Sequence, residues 1–175
     1  MYNESNEFRG IKMKSKLIIC LVIVVLLAGC AGSKAVAGTG VDTSVQNFSD
    51  VTTKDWKLIE LYINGVNSNF SRDNQPNQLS RDIFSLKLED GTISGTGAPN
   101  RYSGRYTLND NQGISITPLL STLMASIFEP ENLREHDFFS YIQNTSTWSL
   151  SNNGANLELI SVNSDNNPVR MIFAL

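Results

Sequence analysis

The stretch IFSLKLEDGTISGTG, residues 83–97, sets the fold class. Phe84, Leu86 and Leu88 fall on alternate positions with Ser85 and Lys87 between them. That two-residue period belongs to a strand with one buried face. Asp90-Gly91 then interrupts the run with residues that tolerate the positive φ of a tight hairpin turn. Thr92 to Gly97 is the returning strand, and its two glycines point to a close backbone approach or a sharp bend.

The same grammar extends in both directions. Downstream, Gly104–Leu108 reads as a strand, Asn109–Gly113 as a turn, and Ile114–Thr117 as a strand ended by Pro118. Ser146–Ser151 and Leu157–Val162 are strands joined through Asn152-Asn153-Gly154. In the last strand Val169, Met171, Phe173 and Leu175 share one face. Upstream, Trp56–Ile63 is an aromatic-rich strand stopped by Asn64-Gly65, and its imperfect alternation fits a bulge. Val66–Ser80 is polar and reads as a loop. One helix is expected, over Pro130–Asn144, with Pro130 in the first turn and Glu129, Glu131 and Glu135 near its positive end. Phe138, Tyr141 and Ile142 would form its buried face. The expected architecture over residues 51–175 is therefore mainly β (α+β): a small antiparallel barrel of about seven strands with one packed helix.

The first 30 residues differ in kind. Lys12, Lys14 and Lys16 precede an uncharged apolar run, Leu17–Leu27, which is followed by Ala28-Gly29-Cys30. Eleven helical residues span roughly 16 Å, about half a bilayer core, so the pattern fits a signal peptide over 1–29 better than a membrane span. Glu4 and Glu7 are unusual ahead of such a signal, and Met13 is the expected translation start. Leu27-Ala28-Gly29-Cys30 resembles the lipobox of bacterial lipoproteins, which marks Cys30 for lipidation. Ala31 and Gly32 lack the aspartate that retains many lipoproteins at the inner membrane, so the expected location is the outer membrane, facing the periplasm. Residues 30–50 would be the lipidated N-terminus and a flexible tether.

Removing this leader closes several doors. Cys20 leaves with it and Cys30 is acylated, so the mature domain keeps no thiol for a disulfide, a zinc site or nucleophilic catalysis. The whole chain carries a net charge of −3, and the part from Cys30 onward has 10 basic and 15 acidic residues, net −5. That balance argues against nucleic acid and against adhesion to anionic lipid through charge, so the expected membrane link is the lipid on Cys30 itself. His136, the sole histidine, sits among Arg134, Glu135 and Asp137 as on a solvated helix face, and no Gly-x-Ser-x-Gly elbow accompanies it. Gly95-Thr96-Gly97 has neither the third glycine nor the following helix of a nucleotide loop. Phe128, Phe138 and Phe139 read as core rather than as the lining of a ligand cavity. No cofactor, metal or enzymatic activity is expected. Asn100, Arg101, Tyr102 and Arg105 form the candidate binding surface, with structural work assigned to Asn100 and Tyr106 in particular.

From Trp56 to Phe173 the chain resembles the META domain family, also called HslJ-like. The resemblance rests on Trp56-Lys57-Leu58 with Asn64-Gly65, on residues 95–106 (GTGAPNRYSGRY), on residues 122–126 (TLMAS), on Glu131 ahead of Phe138-Phe139, and on Leu157-Glu158-Leu159. Many members carry cysteines where this chain has Pro99 and Ser126, so a redox role does not transfer. The resemblance implies a compact barrel-like domain with a helix packed on it. It also implies a lipid-anchored, non-enzymatic envelope protein that binds another envelope component, an unidentified protein, or supports stress tolerance. Two other expectations stand beside it. One is an inhibitor of a wall-degrading hydrolase, favoured if Ser103–Tyr106 protrudes as a loop. The other is a small-molecule carrier, favoured by an open apolar barrel interior.

Overall fold

The structure is a computed structural model, and it describes residues 46–70, 83–125, 130 and 132–175. The segment read as a signal peptide, Cys30, residues 31–45 of the expected tether, the stretch 71–82, Ser126, Phe128, Glu129 and Glu131 lie outside the described residues. Residues Thr43–Leu175 make one compact unit.

Ten strands run through that unit: β1 (Trp56–Ile63), β2 (Val66–Asn67), β3 (Ser85–Glu89), β4 (Thr92–Thr96), β5 (Arg101–Asn109), β6 (Gly113–Ile116), β7 (Leu120–Ser121), β8 (Thr147–Ser151), β9 (Asn156–Val162) and β10 (Pro168–Ala174). Eight of them close a ring in the order β1-β3-β4-β5-β6-β8-β9-β10, with β10 pairing back onto β1. Every ladder among the described residues is antiparallel. The expected small barrel is present, with the two-residue strands β2 and β7 attached to its wall. One joint is thin, since β6 and β8 share a single pair, Gly113 with Thr147. The helix α1 (Glu135–Gln143) packs against β6 and β9 beside this joint.

The imperfect alternation of β1 has the expected cause. Trp56, Leu58 and Leu61 are buried, and the register with β10 shifts between Leu58 and Glu60. One extra residue returns the next apolar side chain to the interior. The barrel is filled by Leu58, Leu61, Leu86, Leu88, Ile93, Leu157, Leu159, Met171 and Phe173, all closed to solvent. Such side chains have no free surface on which a solvent-sized guest could rest, so they form a packed core rather than the open lining a carrier requires. At one end the filling is aromatic. Phe138 of α1 lies 4.9 Å from Phe84 and 5.9 Å from Tyr102, ring centre to ring centre.

Three local expectations need correction. The helix starts at Glu135 rather than Pro130, because Asn132 takes a left-handed φ of 65° and Leu133 turns into the core. Phe84 precedes β3 rather than lying in it. It holds a φ of 50°, a costly region for a large side chain, while its ring stays in the core. The packed domain begins before residue 51. Gln46 bridges to both the N–H and the C=O of Leu150 at 2.6 Å, and Phe48 packs its ring on Trp148 at 4.9 Å. Val51 is fully buried and accepts the Trp56 indole N–H at 2.8 Å.

Phe138 is the one fully buried aromatic that ties α1 to the barrel, so Phe138→Ala should lower stability by about 3–5 kcal/mol. Urea titration reads this as a lower midpoint at unchanged slope. A loss within the scatter of surface substitutions would mean that the helix is not part of the cooperative unit.

Candidate functional site

The site is built where β4 turns into β5. Gly95 lies against β3 so closely that a Cβ there would meet the Ser85 carbonyl oxygen at 2.0 Å. A Cβ on Gly97 would meet the Glu135 carboxylate at 2.6 Å and the Phe139 ring at 2.7 Å. The two glycines thus record the close approaches that the strand pattern implied. After Gly97 the chain passes through Ala98 and Pro99, joined by a cis peptide bond, to Asn100.

Asn100 is only 6% exposed, and every hydrogen-bonding position of its amide is used. Its Nδ2 donates to Glu135 Oε2 at 2.7 Å and to the Met124 carbonyl at 3.1 Å. Its Oδ1 accepts from Thr122 Oγ1 at 2.8 Å and from the Met124 N–H at 2.6 Å. Glu135 Oε1 in turn accepts the N–H groups of Ala98 and Asn100 at 2.5 and 2.6 Å. One buried amide and one carboxylate therefore join three separate segments: the β4–β5 loop, residues 122–124 and the start of α1. With both lone pairs and both protons spent, Asn100 has no capacity left for a ligand.

Strand alternation then divides the rest of the cluster. Tyr102 and Tyr106 point inward and are buried, while Arg101, Ser103 and Arg105 point outward and are exposed. The Tyr102 hydroxyl donates to the Ser85 carbonyl at 2.9 Å, and complete burial pushes its pKa up. The proposed surface of Asn100, Arg101, Tyr102 and Arg105 is accordingly reduced to its two arginines. Asn100 is withdrawn from it by its bonding and Tyr102 by the pleat. Ser103–Tyr106 is mid-strand, not a protruding loop, which removes the feature that would have favoured an inhibitor.

The outer face around the arginines was not foreseen in full. On β4 their neighbours are Thr92, opposite Arg105, and Thr96, opposite Arg101. On the other side β7 pairs Leu120 with Ser103. Opposed residues on paired strands project to the same face, so Leu120 stands diagonally between Arg101 and Arg105. Leu120 is 76% exposed, and beyond it Leu123 is 97% and Met124 60% exposed. His136 is also exposed and has only Asp137 near it, at 3.6 Å. A cleft of about 350 Å³ lies at the start of α1 among Ile63, Pro130, Leu133 and Tyr141. The charged groups lining it, Arg134 and Asp137, are forked to each other at 2.8 and 3.1 Å. Among the described residues no group of three or more His, Cys, Asp or Glu side chains is placed to hold a metal ion.

Residues 49–172 match the META domain family. The chain belongs to the META domain family. Asn100 joins the β4–β5 loop to Thr122 and Met124, which in this chain make one structural joint. Among solved structures, the chain is similar to an NMR structure of a protein from Burkholderia xenovorans, at 17% identity and a TM-score of 0.48, over 85% of this chain and 99% of that one. No curated protein matched the chain.

Two outcomes test this geometry. Asn100→Ala leaves the Glu135 carboxylate, Thr122 and Met124 short of partners together, and should cost about 2–4 kcal/mol in urea unfolding. The raised pKa of Tyr102 means that the folded state keeps a proton the unfolded chain releases near its ordinary value of 10.0. Stability is then fully present below pH 10 and falls as pH rises beyond it. Tyr102→Phe should flatten that alkaline decline, and an unchanged profile would show that Tyr102 does not govern it.

Proposed function

We propose that this META domain protein is a lipid-anchored component of the bacterial cell envelope. It acts without catalysis, by presenting the outer face of β5 to another envelope component. The observation that carries the binding reading is the pair Arg101 and Arg105. Both are exposed on a rigid strand, and neither has an ion-pair partner among the described residues. A guanidinium pair held by a closed barrel is a preorganised recognition element. The placement in the envelope rests on the leader sequence, in which a basic stretch, an apolar run and Leu27-Ala28-Gly29-Cys30 follow one another. The outer membrane is favoured because Ala31 and Gly32 follow Cys30. The non-catalytic reading is supported by the polar groups themselves. Asn100 and Glu135 are consumed in holding the fold, and His136 is exposed beside an Asp137 carboxylate that is already forked by Arg134.

Intact-mass analysis of protein from native membranes should give a polypeptide beginning at Cys30 and carrying an acyl increment. A mass that retains the leader would reject the anchor. Photo-crosslinking residues placed at positions 101 and 105 should capture one dominant envelope component. Equal yields from positions 110 and 153, at exposed turns elsewhere, would reject the β5 face.

A further inference from the structure

Leu120, Leu123 and Met124 are three large apolar side chains exposed close together along one short segment. They do so on a segment that is firmly held. Thr122 donates its N–H to the Arg101 carbonyl at 3.0 Å and its hydroxyl to Asn100, and Met124 bonds Asn100 through both its N–H and its C=O. The chain is thus pinned at 122 and 124 while the side chains at 120, 123 and 124 face solvent. Leu119, just before them, packs on the core and donates its N–H to Gln143 Oε1 at 3.2 Å. The leucines are presented by the fold rather than left over by a frayed end.

We propose that this lip, together with Arg101 and Arg105, seats the domain on an anionic phospholipid surface. Leu123 is almost wholly exposed, and Leu120, opposite Ser103, stands on the same face of the sheet as Arg101 and Arg105. Aliphatic tips below and long cationic stems around them match the interface of a bilayer. There the leucines reach the acyl boundary and the arginines remain at the phosphates. The cross-strand neighbours of the arginines, Thr92 and Thr96, bring no carboxylate to oppose the attraction. From Cys30 onward the chain is net −5 with these two arginines counted and −7 without them, so an anionic surface attracts this face and repels the rest of the chain. The proposal rests on the anchored reading for its strength. A lipid on Cys30 would keep the domain at the membrane, where a weak patch acts at raised local concentration.

The test places an environment-sensitive fluorophore on Met124→Cys in the acylated chain, reconstituted in phosphatidylcholine vesicles with and without phosphatidylglycerol. The expected result is a blue shift, with quenching by lipid-borne quenchers, in the phosphatidylglycerol vesicles, while a label at Asp110→Cys stays aqueous. Arg101→Gln and Arg105→Gln should each weaken the phosphatidylglycerol dependence about fivefold. Leu120→Ser with Leu123→Ser should abolish the shift. These four side chains are exposed, so the variants should fold. The fragment 43–175, whose core is made of its own residues, repeats the measurement without any lipid on Cys30. A vesicle-dependent shift in the fragment supports the face even if the intact mass shows no acylation. An aqueous label on both vesicle types, in chain and fragment alike, overturns the proposal. A protein captured at 101 and 105 alongside that result leaves the β5 face as a protein site.

Discussion

The structure depends on a carboxylate and an amide held together inside a protein wall. Glu135 and Asn100 bond each other, and between them they tie the backbone of residues 98–100 and of Met124 to the start of α1. A barrel of eight short strands has little interior to spare, and one joint in its wall carries a single pair of residues. The helix beside that joint is itself short, and Phe138, Tyr141 and Ile142 supply its apolar contact with the barrel. What fixes its first turn is the charged group at position 135, anchored in the opposite loop. Charge-assisted bonds of this kind are about twice as strong as neutral ones, and losing one member strands several partners at once. Gly97 belongs to the same device, because any side chain there would push the carboxylate away.

The strands were legible because a half-buried sheet writes its period into the sequence. Residues 83–97 and 146–175 alternate cleanly, and their turns carry Asp-Gly or Asn-Asn-Gly, which adopt left-handed backbone as expected. The bulge in β1 was legible for the same reason, as a slip in the period between Leu58 and Leu61. The start of the helix was not. Local signals at Pro130 and the glutamates favour a helix there, but the need of Glu135 to reach Ala98 and Asn100 is a tertiary fact that no window of sequence contains.

The site was half visible. Asn100, Arg101, Tyr102 and Arg105 were picked out together, and had β5 been read from Arg101 rather than Gly104, alternation alone would have sent the tyrosine inward and the arginines outward. The exposed lip left no such trace. Leu119 to Met124 has the composition of core, and only the hydrogen bonds from Asn100 show why its side chains are turned away from it.

Closure of the ring by β1 with β10 has a consequence for how the molecule comes into being. The opening strand finds a long ladder only with the closing one, more than a hundred residues later, and these contacts are the most numerous kind to form across the greatest loop. Such non-local closure is entropically late and slow. A chain still threading out of a ribosome or through a translocation pore cannot complete its wall, so it stays pliable until its final strand is released and then locks as a whole.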